Sequence, residues 1–69
     1  MSYTRVKVLK ALSEKGCRFL REGSRHTIYV NVAGARIEIP YHREIKRGTA
    51  RSIARQAGIE WSEFEPGIS

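Results

Sequence analysis

Apolar residues over the first sixteen positions recur at helical spacing. Thr4 is followed by Val6, Leu9 and Leu12, with Val8 between them broadening the stripe, and Gly16 closes the run. Residues three and four apart share one face of a helix. Threonine caps the free N–H groups of a first turn, and glycine adopts the left-handed conformation in which helices end. The pattern therefore predicts a helix from Thr4 to Gly16, with Arg5, Lys7, Lys10, Glu14 and Lys15 on its wet side.

From Cys17 onward the period changes to two. "CRFLRE" sets Cys17 and Phe19 against Arg18 and predicts a first strand, and Gly23-Ser24 is a turn signal. "HTIYVN" then predicts a second strand. His26, Ile28, Val30 and Val32 fall on one face, and Thr27, Tyr29 and Asn31 on the other. On this count His26 stands where the alternation asks for an apolar side chain. "AGA" at 33–35 predicts a short turn. "RIEI" alternates Arg36 and Glu38 with Ile37 and Ile39 as a third strand, which Pro40 ends because proline cannot donate to a ladder.

"YHREIKRG" reads as a polar loop, and Thr49 as the cap of a second helix. Ala50, Ile53, Ala54 and Ala57 form its apolar face, Arg47, Arg51 and Arg55 sit four apart on one flank, and Gly58 stops it. Trp61 and Phe64, three apart after a short turn, are expected to pack over the edge of the core. The fold class is α+β, a small single domain of order α-β-β-β-α. Its three-stranded antiparallel sheet carries both helices on one face and leaves the other to water. Residues 1–69 form that one domain, with a core over about 4–60 and a short C-terminal tail over 61–69.

Length changes the picture first. A chain of 69 residues buries only about 60% of its unfolded surface, so no deep cleft between domains is available and any catalysis sits on an open surface. The single Cys17 excludes an internal disulfide framework, and a reduced, cytoplasmic setting is expected. No signal peptide is expected, and no apolar run approaches the roughly 18 residues of a membrane span. One Cys and two His fall short of a structural zinc site. No metal and no other cofactor is expected.

Charge changes it more. The net charge is +6, unevenly spread. Residues 1–55 hold all 13 Lys and Arg against four Glu, a balance of +9, while residues 56–69 hold three Glu and no base, a balance of −3. A pI near 10.1 with basic residues in every element favours a polyanionic partner. A membrane surface fits less well, since the bases are not gathered on one amphipathic helix.

Most catalytic constellations are absent. There is no Gly-rich phosphate loop and no CxxC, and the chain contains no aspartate at all. Glu38 and Glu44 are too isolated in sequence to argue a two-metal nuclease. What remains is His26 and His42 in a field of Arg and Lys. That set suits RNA, which carries its own nucleophile in the 2′-hydroxyl. A histidine base and cations that stabilise a charged phosphorane cleave it without a metal, whereas DNA lacks the hydroxyl. By residue type alone, a lone histidine at a strand end such as His26 is more often structural or merely solvated than catalytic.

A resemblance favours the chemical use. "GSRHTIYVN", "IPYH", "IKRGTARSI" and "RQAGI", with "VLKALSEKGCRFLREGS" before them, resemble the HicA family of bacterial toxins over about residues 4–60. Arg25, between Ser24 and His26, departs from the family's Gly-Ser-His. The resemblance implies a double-stranded-RNA-binding-domain-like fold and a type II toxin that cleaves mRNA as a metal-independent endoribonuclease. It makes His26, three residues before Tyr29, the catalytic acid/base. It also implies a HicB-type antitoxin protein as partner, whose acidity would complement this chain; neither DNA nor a membrane is expected as a direct partner.

Around His26, the candidates for RNA binding by type and proximity are Arg25, Arg43, Lys46, Arg47 and Arg51. They would grip the phosphate backbone and carry little sequence preference. Tyr29 would stack a base on the open sheet face or pack across strands. His42 would transfer a second proton, bind phosphate, or serve only as a loop residue. Two other readings stay open: an RNA-binding module of the same fold without chemistry, and an adaptor whose basic face docks an acidic protein.

Overall fold

The computed structural model describes residues 1–69. In order the elements are β1 (Ser2–Thr4), α1 (Arg5–Glu14), β2 (Arg18–Glu22), β3 (His26–Val30), β4 (Arg36–Pro40), β5 (Glu44–Lys46), α2 (Arg47–Ala57) and α3 (Trp61–Ile68). Strands β2, β3 and β4 form an antiparallel meander with β3 in the centre, and β1 pairs with β5 in a separate two-stranded ribbon. The expected helix, three strands and second helix are all present. Both helices contribute to one apolar cluster on a single face of the meander.

The helix ends follow local chemistry. The Thr4 hydroxyl accepts a hydrogen bond from the Lys7 amide. Gly16 and Gly58 sit at φ of 89° and 74°. At both stops the following residue bonds back to the carbonyl five positions earlier, Cys17 N to Leu12 O and Ile59 N to Ala54 O, each at 2.9 Å. Helix α2 buries Ala50, Ile53, Ala54 and Ala57 as its spacing predicts. Its start differs from expectation: Lys46 is the N-cap, and Thr49 lies in the first turn and caps nothing. On α1 the buried set is Val8, Ala11 and Leu12, while Val6 is 75% exposed. Two positions rotate a helix by about 200°, so Val6 and Val8 cannot both face the core, and Val8 is the one that does.

Strand β3 turns the opposite way from its own alternation. Thr27 and Tyr29 are in register with Ile39 and Ile37, whereas His26, Ile28 and Val30 are in register with Pro40, Glu38 and Arg36. Opposed residues of an antiparallel pair share a face. The helices cover the Tyr29, Ile37 and Ile39 face, so His26 lies on the uncovered one. Both faces of β3 carry apolar residues; the unmixed alternation of β4 decides between them. Val32, expected on the strand, is 81% exposed beyond its end.

Two regions read as loop and tail are ordered elements. The polar loop contains β5, whose Ile45 is opposite Tyr3 of β1, and both side chains are buried. Residues 61–68 of the expected tail are helix α3, and its Phe64 is the largest fully buried side chain of the chain. Phe64 and Ile68 lie four apart on the face turned inward, and α3 packs beside α1, where a Cβ at Gly67 would stand in ordinary contact with that of Ala11, at 3.5 Å. Cys17 is buried, which pushes its thiol pKa above the ordinary value.

The β2–β3 hairpin positions His26. Glu22 and Thr27 are the last paired residues, and the Gly23 amide donates to the His26 carbonyl at 2.7 Å, leaving Ser24 and Arg25 at the tip. A Cβ at Gly23 would meet that carbonyl at 3.0 Å. Two outcomes are expected from this packing. Phe64→Ala should cost about 3–5 kcal/mol in denaturant unfolding; a loose tail would give almost nothing. Gly23→Ala should cost about 0.5–3 kcal/mol and move the amide resonance of His26, while distant resonances such as Ile53 stay in place.

Candidate active site on the uncovered sheet face

The register of the meander assembles the site. Beside His26 and Glu38, the uncovered face takes Arg36 from β4 and, from β2, Arg21 opposite Ile28 and Arg18 opposite Val30. A bulge between Phe19 and Arg21 makes this possible. An extra residue in one strand shifts its facing, so Arg18 and Arg21, an odd number apart, both line up with β3 residues of the same side. Arg21 also reaches the hairpin, since a Cβ at Gly23 would stand 3.5 Å from its Nη1. Three guanidinium groups thus share one sheet face with one histidine.

Glu38 supplies the carboxylate. It is diagonal to His26 across the β3–β4 pair, a separation that longer side chains bridge. Its Oε1 lies 4.0 Å from His26 Nδ1, beyond hydrogen-bond distance, so the carboxylate stands beside the ring without bonding to it. The two side chains are 40% and 59% exposed, so the pair is open to a bound polymer. A histidine whose Nδ1 faces a carboxylate has its other ring nitrogen free to exchange protons with a substrate.

Behind this face lies a polar cluster that joins four elements. Thr27, the one buried polar residue, accepts a hydrogen bond from Arg5 Nη2 and donates to Glu22 Oε1 at 2.7 Å. Arg5 Nε donates to Pro40 O at 3.0 Å. The Tyr41 hydroxyl lies 2.5 Å from Gly23 O and 3.2 Å from Glu22 Oε1. Desolvation of the Tyr41 phenol and the nearby Glu22 carboxylate hold its pKa above the ordinary value, so it stays a donor.

The residues expected to act divide into separate groups. Arg25 is next to His26 at the hairpin tip. Tyr29 is a correction: it is only 8% exposed, on the helix-covered face, with its ring edge-on to Phe19 at 6.0 Å. It packs across strands and offers no platform for a base. His42, Arg43 and Lys46 line a different concavity, with Met1, Ser2, Pro40 and Thr49, that His26 does not enter. Arg47 and Arg51 lie over the Trp61 ring at 5.4 and 5.3 Å, and Arg47 also reaches the Tyr3 hydroxyl at 3.4 Å. These two are engaged in packing α3 against α2. Arg18, Arg21, Arg36 and Glu38 are the site residues that sequence reasoning missed. The alternation of Arg36 and Glu38 with two isoleucines was a signal for the last two; nothing before the bulge was known could place the others.

No helix of the chain is long and apolar enough to cross a membrane. Among curated proteins there is no match. The protein-family model described as the HicA toxin of bacterial toxin-antitoxin matches residues 6–59, from the start of α1 to the residue after Gly58, and so spans both helices, the meander and the hairpin that carries His26. With that match over most of its length, and with a helix, an antiparallel meander and a second helix in the expected order, the chain belongs to the HicA toxin family and is the toxin of a toxin–antitoxin system.

Proposed function

We propose that this toxin is a metal-independent endoribonuclease that cleaves mRNA in the cytoplasm through the RNA's own 2′-hydroxyl, with His26 as general acid/base. The observation that carries the reading is the position of His26 on the uncovered sheet face, its Nδ1 4.0 Å from Glu38 Oε1, with Arg18, Arg21 and Arg36 on the same side. His26 Nε2 accepts the 2′-hydroxyl proton, the 2′-oxygen bonds to phosphorus, and the P–O5′ bond breaks. The proton then passes from the imidazolium to the departing 5′-oxygen. Glu38 stands on the Nδ1 side of the ring, leaving Nε2 for the substrate, and the guanidinium groups stabilise the charge on the phosphorane. A shallow surface suffices because nucleophile and phosphate arrive already joined.

His42, Arg43 and Lys46 hold the RNA backbone further along, in the concavity beside β5. A HicB-type antitoxin neutralises the toxin by presenting acidic groups to the same basic surface, where its binding and that of RNA exclude one another.

Three outcomes test the reading. In EDTA the purified toxin is expected to cleave an mRNA, and His26→Ala to lose about 10²–10⁴-fold while it still binds. Undiminished cleavage by the folded variant would remove His26 from the mechanism. RNA binding without cleavage by the wild type would leave a non-catalytic RNA-binding module. For Arg36→Ala, the slope of log affinity against log salt should shrink by about 0.7, the value for one phosphate contact to a single strand; an unchanged slope would take Arg36 off the RNA path.

A further inference from the structure

We propose that Tyr41 and Arg5 are positioning residues for His26, acting on its backbone from the far side of the sheet. The inference rests on the reading of His26 as the active acid/base. Its ground is the set of atoms that the two side chains hold. The Tyr41 hydroxyl reaches Gly23 O at 2.5 Å, and Gly23 N in turn holds His26 O at 2.7 Å. Arg5 Nε holds the carbonyl of Pro40 at 3.0 Å, and Pro40 is opposite His26 in the ladder. Arg5 also donates to the Thr27 hydroxyl, on the residue after His26. The backbone is therefore fixed before, beside and after the histidine by one connected cluster.

The cluster's composition suits a fixed support better than a second reactive site. Glu22 and Arg5 offset one another in charge, Thr27 both accepts and donates, and no buried side-chain nitrogen or oxygen is left without a partner. The Arg5 guanidinium, 5.6 Å from the centre of the Tyr41 ring, keeps the phenol in place by a cation–π contact. The atoms that hold the hairpin come from α1, β2, β3, Pro40 of β4, the turn residue Gly23 and the residue after β4, so the first residue of the first helix reaches the catalytic strand directly. His26 itself has no comparable hold on its open side, where Glu38 is 4.0 Å away. Its aim at a phosphate depends on the backbone beneath it, and misplacement of a reacting group by about 1 Å costs up to about 10²-fold in rate.

Tyr41→Phe removes one hydroxyl and keeps the ring. The expected result is a fall in kcat of about 10-fold, within the range that misplacement produces, with KM changed less than about twofold. In the His26→Ala background the same substitution should cost nothing more, because its effect passes through the imidazole. Independently of activity, amide exchange at His26 and the ring resonances of His26 should change in Tyr41→Phe, with the exchange of α2 unaltered. Arg5→Lys, with one donor group in place of the bridging guanidinium, should act in the same direction and serves if Tyr41→Phe does not fold. Wild-type kcat in both folded variants, a further loss in the double variant, or unchanged His26 resonances would overturn the proposal. A wild-type protein that cleaves no RNA overturns the enzymatic reading instead, and the exchange and resonance measurements then decide whether the cluster holds the hairpin.

Discussion

The pairing of β3 with β4 is the constraint on which the rest depends. Ile37 and Ile39 are fully buried, and the residues between and before them are charged, so β4 has one possible orientation. A slip of one residue would reverse every side chain of a strand, and here it would bury Arg36 and Glu38. Register therefore carries the choice from β4 to β3: Tyr29 goes under the helices and His26 comes out. A histidine that looks misplaced on an apolar face is instead a half-buried residue on the side that the helices leave uncovered. The surface that carries His26, Glu38 and three arginines is the face left over once the isoleucines have been covered.

A domain this small needs every apolar residue it can enclose, and that need explains the elements outside the meander. The β1–β5 ribbon contributes Tyr3 and Ile45, and α3 contributes Phe64 and Ile68. These segments lie on the side of the helices, away from the uncovered face. Arg47 and Arg51 belong with them: charged groups over the face of Trp61 gain from its ring quadrupole and cover apolar surface with their stems. The basic surplus of the chain thus serves two purposes, packing at the α2–α3 junction and a charged field over the sheet.

How much was legible in the sequence follows from how far each pattern extends. The helices α1 and α2 and their glycine stops could be read from ten or more residues of repeated spacing, and so could the Thr4 cap of α1, but the start of α2 could not. β4 could be read because its alternation is unmixed. The facing of β3 could not, since Thr27 and Tyr29 compete with Ile28 and Val30 and only a neighbour arbitrates. β1 and β5 are three residues long with one buried residue each, too short for any period to appear. In α3 the pair Phe64 and Ile68 is at helical spacing, but Pro66 and Gly67 between them read as a break. His26 stood out by residue type and by family resemblance. Glu38 became its neighbour only through cross-strand register, and Arg18 and Arg21 joined the same face only through a bulge.

The central claim is that the RNA's own 2′-hydroxyl is the nucleophile, deprotonated by His26. The ends of the products test it most directly. Attack by the 2′-oxygen leaves a 2′,3′-cyclic phosphate, or the 3′-phosphate formed from it, on one fragment and a 5′-hydroxyl on the other. Mass spectrometry of a cleaved oligoribonucleotide should find these ends, and an oligonucleotide with a 2′-deoxy sugar at the cleaved position should remain intact. Fragments with 5′-phosphate and 3′-hydroxyl ends would contradict the account, because water would then be the nucleophile and His26 would not act on a 2′-hydroxyl.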